Sequence, residues 1–149
     1  MTLQRDLEIS WIRPQQTSPE EIRDLLAIAD RDIGQSQIQG LGPEWRFGIA
    51  YNAALQFATA ALAATGYQAE RQNKHQRTIE YLAWTIGLPS GEVALLDLCR
   101  RKRHTNVYEQ IGAISDQEAT EMIGVAQRLQ KQVIAWLRTQ YPSLMPSKK

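Results

Sequence analysis

One alanine-rich stretch decides how this chain folds: Tyr51-Asn52-Ala53-Ala54-Leu55-Gln56-Phe57-Ala58-Thr59-Ala60-Ala61-Leu62-Ala63-Ala64. Alanine is the strongest helix former, and its small side chain lets neighbouring helices approach closely. Pro43 is suited to the first helical position and Gly66 to the position after the last one, so the helix is predicted over residues 43–65. Because its surface is apolar nearly all round, we expect it at the centre of a helical bundle or also in a dimer seam.

Four further helices are expected around this one. Two begin with predicted capping boxes, in which a serine N-cap is followed three residues later by glutamate: Ser18 with Glu21, and Ser115 with Glu118. In chain order the five helices are predicted over residues 18 to about 39, 43–65, about 72–86, 90 to between 107 and 112, and 115–141. No strand pattern of useful strength is present. We therefore predict an all-α fold, an antiparallel four-helix bundle core with one accessory helix.

The chain is expected to form one domain over residues 18–141, with no linker inside it. Residues 1–17 are interpreted as an N-terminal arm that packs Trp11 or Ile12 on the body, and residues 142–149 as a disordered tail. The tryptophans are scattered along the chain and are interpreted as core residues: Trp11, Trp45, Trp84 and Trp136.

Composition excludes several classes of function. The net charge of +1 argues against nucleic-acid binding over the whole surface, so any anion binding has to come from a local cluster. The single cysteine cannot form a disulfide within the chain, and with two histidines it offers too few ligands for a zinc site. We expect no metal and no cofactor. Without a signal-peptide pattern or an apolar run of membrane-spanning length, we expect a cytoplasmic protein that does not contact a membrane.

The chemistry is concentrated in one run on the fourth predicted helix: Leu98-Cys99-Arg100-Arg101-Lys102-Arg103-His104-Thr105-Asn106-Val107-Tyr108. At about 100° per residue, Arg103 falls in the middle of an apolar arc made of Leu95, Leu96, Cys99 and Val107. An inward arginine needs a partner or a wet cleft, because burying an unpaired charge is costly. Two interpretations stay open: Arg103 forms an ion pair and the other cations are a solvated face, or the run binds phosphate.

A second stripe on the same helix contains Arg100, His104 and Tyr108 at i, i+4 and i+8, with Arg101 beside it. This stripe is a second candidate set of functional site residues. Cys99 is expected to be a buried packing residue beside Leu95 and Leu96, with a pKa raised by its apolar neighbours.

His75 heads an apolar stripe on the third predicted helix, together with Ile79, Leu82 and Ile86. A single histidine in that position is more typical of a packed, hydrogen-bonded residue than of a ligand. We therefore interpret His75 as structural.

Three features in combination resemble the HEPN superfamily of small helical nucleotide-binding and RNase domains. They are the alanine-rich helix ending in Gly66-Tyr67, the segment Asn73-Lys74-His75-Gln76, and the arginine-rich run; the resemblance covers about residues 43–140. The usual motif of the superfamily is written Arg-Asn-x-x-x-His. The best register places Arg103 on the motif arginine, with His104 where asparagine is usual and Tyr108 where histidine is usual. The chain thus resembles branches whose motif ends in tyrosine.

The resemblance implies an arginine that holds the scissile phosphate and a histidine that serves proton transfer or orientation. It also implies a homodimer in which two motifs face each other, and for many members a nucleotidyltransferase antitoxin as partner. Carried over to this chain, it makes Arg103, His104 and Tyr108 the catalytic candidates. The candidates for phosphate or nucleic-acid binding are Arg100, Arg101, Lys102 and Asn106.

Three functions are considered. The first is a HEPN-like domain that binds RNA or a nucleotide at a dimer cleft, with weak or lost RNase activity. The alternatives are a catalytically silent helical protein-interaction module and a metal-independent RNase toxin of a toxin–antitoxin pair. Tyr108, with an ordinary pKa of about 10, is a poor base at neutral pH, so the missing motif histidine favours the first two.

Overall fold

The computed structural model describes Arg5, residues 11–108 and residues 114–145, and of residues 105–108 it describes only the helical backbone. The elements, in chain order, are β1 Ile12–Pro14, α1 Pro19–Ser36, α2 Pro43–Ala64, β2 Tyr67–Ala69, α3 Lys74–Glu80, α4 Leu82–Thr85, α5 Ser90–Tyr108, α6 Asp116–Gln140 and a 3-10 turn Pro142–Leu144. The described chain is predominantly helical, as predicted. The finer arrangement as a four-helix bundle core stays a prediction.

Helix α2 is the central element, as its composition predicts. It packs most extensively against α1 and α6, and it also contacts α5 and α3. Its alanines are buried on several sides, and Phe57 is fully buried among them. α2 is also the one described helix that is long and apolar enough to cross a membrane, but 78% of the relevant window is buried inside the fold. That degree of burial is typical of the core helix of a soluble protein.

The N-termini of α1 and α6 are capped in different ways. At α6 both halves of the capping box form, with the Ser115 hydroxyl accepting from the Glu118 amide and the Glu118 carboxylate accepting from the Ser115 amide. At α1 the Ser18 hydroxyl accepts from the Glu21 amide at 3.1 Å. The predicted second half is wrong here, because the Glu21 carboxylate instead accepts hydrogen bonds from Thr17 and Gln15.

Two short strands were not predicted from the sequence. β1 and β2 pair antiparallel, with Ile12 opposite Ala69 and Pro14 opposite Tyr67. Strands of three residues are too short to show a two-residue alternation. Ile12 is buried, which confirms that the arm packs on the body, and the Arg77 guanidinium stacks 3.6 Å from the centre of the Trp11 ring. Residues 1–4 and 6–10 of the arm lie outside the described residues.

The predicted third helix is broken, so one continuous helix over residues 72–86 is wrong. α3 begins after Asn73, whose φ of 57° lies in the left-handed region that asparagine tolerates. α3 and α4 meet at Tyr81, whose carbonyl accepts from the amides of both Trp84 and Thr85. Tyr81 is anchored in a small cluster with Ile12 and β2. Periodicity along the chain does not show such an anchor, because the cluster is formed by distant residues.

Two further expectations are corrected at the surface and the C-terminus. Trp45 and Trp84 are exposed, so the interpretation of all tryptophans as core residues is wrong for these two.

The chain after α6 continues as the 3-10 turn Pro142–Leu144, which contacts α1 and α6, and Leu144 and Met145 pack against the core. The prediction of a disordered tail is therefore wrong for residues 142–145, and residues 146–149 lie outside the described part.

Candidate functional site

Arg103 points into the fold, as the helical wheel predicts. It lies against Gly48 of α2, where an added Cβ would stand 2.9 Å from the Arg103 Nε and 3.3 Å from its Cδ. The absence of a side chain at Gly48 is what gives the arginine its place between α5 and α2. The Arg103 Nε is buried and has no hydrogen-bond partner among the described residues. A buried donor without an acceptor costs about 1–3 kcal/mol, so an acceptor from outside the chain would be stabilising here.

Tyr51 lies one turn further along the same face of α2, since it follows Gly48 by three residues. It is 5% exposed, and its hydroxyl is also buried without a partner among the described residues. Burial raises the pKa of Tyr51 to about 12, although the positive charges of Arg100 and Arg103 act in the opposite direction. The phenol therefore stays protonated at neutral pH and is available as a hydrogen-bond donor beside Arg103.

Asp97 organises the first part of the basic run. Its Oδ1 accepts from the Arg100 Nε at 2.8 Å, and its Oδ2 lies 3.4 Å from the Arg101 Nε. These are i,i+3 and i,i+4 pairs on one helix, a spacing at which side chains meet. Arg100 is partly buried, whereas Arg101 is mostly exposed. Asp97 therefore orients Arg100 and offsets part of the local positive charge.

His75 comes from a different element, α3, which packs against α5. The histidine is exposed, so the interpretation of His75 as a packed residue is wrong, although Ile79 further along the helix is buried. Partial burial of the ring lowers the pKa of His75 below its usual 6.5, and the positive charges of Lys74, Arg100 and Arg103 lower it further. Burial and the positive charges of the two arginines thus favour the neutral form of the imidazole, which is open to solvent.

The arginine site is defined here as Tyr51, His75, Arg100 and Arg103, with Gly48 as its floor. The other predicted site residues lie elsewhere. Arg101 is exposed, Lys102 forms an ion pair with Glu118 of α6, and His104 is exposed on the surface of α5. The side chains of Asn106 and Tyr108 lie outside the described residues, so their predicted roles stay predictions.

Sequence reasoning missed three members of this site. Gly48 and Tyr51 share a face of α2 with the spacing of one turn, but nothing in the sequence shows that this face meets Arg103. His75 is brought to the arginines by the packing of α3 on α5. Asp97 was also missed, although its spacing to Arg100 and Arg101 carries a detectable signal.

A groove lies between α5 and α6 on the other side of the basic run. It encloses a cavity of about 490 Å³, and its lining includes Leu95, Leu98, Lys102 and Met122. Leu95 and Leu98 are 41% and 51% exposed. Leu95, a member of the predicted apolar arc, is therefore largely uncovered, because α5 packs on α2 and α3 and leaves this face uncovered within the described chain. Leu96 on the same arc is buried.

Cys99 is buried next to the same groove, as predicted. Burial raises the pKa of Cys99 to about 11, although the charge of Lys102 acts in the opposite direction. A thiol that is buried and protonated is a poor nucleophile. Cys99 is accordingly a packing residue.

Among the residues that the structure describes, no group of three or more histidine, cysteine, aspartate or glutamate side chains could hold a metal ion.

No protein-family model matches the chain, and no curated protein matches it.

Proposed function

We propose that the protein is a HEPN-like domain that binds RNA or a nucleotide through phosphate at the arginine site, in the cleft of a homodimer. One observation carries this proposal: among the described residues the buried Arg103 Nε has no hydrogen-bond partner, and the buried Tyr51 hydroxyl has none either. Two donors that face one region without an acceptor are suited to the oxygens of an anion. A guanidinium is suited to phosphate in particular, because its planar fork donates two parallel hydrogen bonds.

The local charge supports the same proposal. Arg100 and Arg103 stand together on α5 in a chain whose overall net charge is only +1. Asp97 holds Arg100 through a 2.8 Å hydrogen bond, so this guanidinium is oriented before a ligand arrives. Arg103 forms no ion pair among the described residues. The net positive charge of the cluster therefore remains available to a phosphate.

The exposed apolar groove supports the homodimer. Leu95 and Leu98 lie on α5, the helix that carries both arginines, and the described part of the chain leaves their apolar surface uncovered. A homodimer interface on this surface would hold the α5 helices of the two protomers close together. A site to which both protomers contribute requires this arrangement. The four-helix bundle arrangement and a cytoplasmic location belong to the same proposal.

The proposed phosphate site is tested by measuring the binding of single-stranded RNA and of a nucleoside triphosphate with fluorescence anisotropy. Arg103→Ala is expected to lower the affinity by roughly 10- to 100-fold, the equivalent of losing one or more charge-assisted hydrogen bonds. Arg103→Lys should not restore it, because lysine lacks the bidentate fork. Affinity for RNA should fall with salt at a slope of about 0.7 per neutralised phosphate, and Arg101→Ala should flatten the slope by less than one unit.

Arg138→Ala is the matched control, because Arg138 is an exposed arginine in the last turn of α6. Its RNA affinity should equal that of the wild type. If Arg103→Ala and Arg101→Ala bind both ligands as the wild type does, the basic run is only a solvated face.

The chain is expected to sediment as a homodimer at roughly tens of micromolar, within the ordinary range of protein affinities. Leu98→Glu should produce a monomer, because it places a charge in the apolar seam. Ile28→Glu serves as the control, since Ile28 is an exposed apolar residue on α1. A wild-type protein that is monomeric at these concentrations contradicts the dimer.

A protein-interaction module is a second candidate function, and the exposed groove beside Leu98 favours it. It would be supported if the wild type binds neither RNA nor nucleotide and Leu98→Glu leaves the oligomeric state unchanged.

A further inference from the structure

A second cavity lies where the C-terminal ends of α2, α4 and α6 meet, and it is called the aromatic cavity here. Its volume is about 230 Å³, and it shares no lining residue with the arginine site or with the groove beside Leu98. Thr65 is the C-cap of α2, and Thr85 and Gln140 are the last residues of α4 and α6. The full lining is Thr65, Trp84, Thr85, Trp136, Gln140 and Tyr141.

Half of this lining is aromatic, and packing holds the rings in place. Trp84 meets the ring of Tyr81 edge to face, with centroids 6.4 Å apart, and Tyr81 is only 1% exposed, so a buried ring fixes the orientation of Trp84. Trp136 and Tyr141 pack on each other with centroids 5.2 Å apart. The face of an aromatic ring carries negative potential, and several rings around one ammonium group are a recurring way to bind it.

The electrostatics of the cavity also favour a cation. No charged side chain is among the described residues that line it. The helices α2 and α6 have 22 and 25 residues, and each places its C-terminal end at the cavity. A helix C-terminus carries a partial negative charge, which attracts cations within the last turn. Arg138 in the last turn of α6 acts in the opposite direction, but its side chain is exposed and water screens its charge.

One polar atom of the lining lacks a partner. The Thr85 Oγ1 is buried and has no hydrogen-bond partner among the described residues. A hydroxyl both donates and accepts, so an oxygen or an N–H group of a ligand would satisfy it. The lining thus combines aromatic faces, a negative field and one unused hydrogen-bonding group.

We propose that the aromatic cavity binds a small organic cation, a quaternary ammonium group with a hydroxyl or ester oxygen close to it, as in choline. The aromatic rings and the two helix ends attract the ammonium, and Thr85 pairs with the oxygen. This site is separate from the phosphate site of the proposed function, and it stands or falls independently of that site.

Isothermal titration with choline and with its neutral carbon analogue, 3,3-dimethylbutan-1-ol, tests the proposal on the full-length protein. The two ligands have nearly the same shape, but only choline is charged. Choline is expected to bind with a Kd of roughly 1 mM or lower, in keeping with its few non-hydrogen atoms. The neutral alcohol should bind about tenfold more weakly or less, because it gains neither cation–π attraction nor helix-end attraction.

A change of charge at Gln140 is the sharpest variant, because this lining side chain is exposed and its replacement leaves the core intact. Gln140→Glu should tighten choline binding by about threefold or more, and Gln140→Lys should weaken it by a similar factor. Affinity for the neutral alcohol should stay within about twofold in both variants, since the alcohol carries no charge. Equal effects of the two substitutions on choline would contradict a cation site.

Two further variants separate the aromatic contribution from the hydroxyl. Trp84→Leu should weaken choline binding by about tenfold, whereas Trp45→Leu, a matched exposed tryptophan on α2, should bind choline as the wild type does. Thr85→Val keeps the shape of the side chain and should weaken choline binding by roughly three- to tenfold. The same variant should leave tetramethylammonium binding unchanged, because that ion has no oxygen.

The proposal is overturned if neither choline nor tetramethylammonium binds at concentrations up to roughly ten times the expected Kd, or if choline and the neutral alcohol bind equally well. Sedimentation with phosphatidylcholine vesicles distinguishes two sources of the same group. If the protein sediments with the vesicles and choline abolishes this, the ammonium belongs to a lipid headgroup. If choline binds and the protein stays in the supernatant, the ligand is a free small molecule. RNA affinity of the Gln140 variants should equal that of the wild type in either case.

Discussion

Replacing Phe57 with alanine is expected to lower the free energy of unfolding by about 3–5 kcal/mol. The Phe57 side chain is 0% exposed and lies in the middle of α2, the helix that α1 and α6 pack against. The substitution removes a full aromatic ring and leaves a cavity that the surrounding helices fill only partly. For a domain of this size, each 1 kcal/mol shifts the melting temperature by roughly 2–4 °C. Urea and thermal denaturation followed by circular dichroism measure both quantities.

Trp45→Ala is the matched control, because it also removes a large aromatic side chain from α2. Trp45 is 68% exposed, so little of its surface is transferred to water on unfolding. The expected change is within about 0.5 kcal/mol. Equal losses of stability for the two variants would contradict the difference in burial between Phe57 and Trp45.

The parts of the fold that the sequence predicts are those with local causes. The start of α6 follows from the Ser115 capping box, and the end of α2 follows from Gly66, whose φ of 93° suits glycine. The strand pair and the break at Tyr81 have tertiary causes instead. Ile12, Ala69 and Tyr81 are brought into one cluster by residues far apart in the chain, so no local pattern encodes their contact.

The features of the candidate site also divide into those with local causes in the sequence and those with tertiary causes. The inward direction of Arg103 follows from its position on the helical wheel, which depends only on the spacing of apolar residues on α5. The surroundings of that arginine depend on which faces of α2 and α3 reach it. Gly48 and Tyr51 look like ordinary members of an apolar helix, and His75 looks like the head of an apolar stripe. Their proximity to Arg103 is a property of the packed molecule and was not predictable from one sequence.

Gly48→Ala is expected to weaken RNA binding by about tenfold or more while the protein stays folded. The new Cβ would stand 2.9 Å from the Arg103 Nε and 3.5 Å from its Cζ, which is too close, so the guanidinium has to move. An arginine side chain is flexible and moves at small cost in stability. Alanine also gains up to about 1 kcal/mol over glycine inside a helix, which offsets that cost. The variant therefore displaces the Arg103 guanidinium without removing it. Fluorescence anisotropy measures the effect on RNA binding, and urea denaturation measures the effect on stability.

The double variant with Arg103→Ala decides whether this displacement is the cause. Once the arginine is gone, Gly48→Ala has no guanidinium to displace, so it should lower RNA affinity no further and should raise the free energy of unfolding by up to about 1 kcal/mol. Gly124→Ala on α6 is the control for a glycine replaced inside a helix, because its Cβ would stand 3.4 Å from Arg128 Nη1, close to an ordinary contact. That variant should bind RNA as the wild type does. If Gly48→Ala also binds normally, or if the two losses of affinity add in the double variant, the placement of Arg103 over Gly48 is not what holds the phosphate.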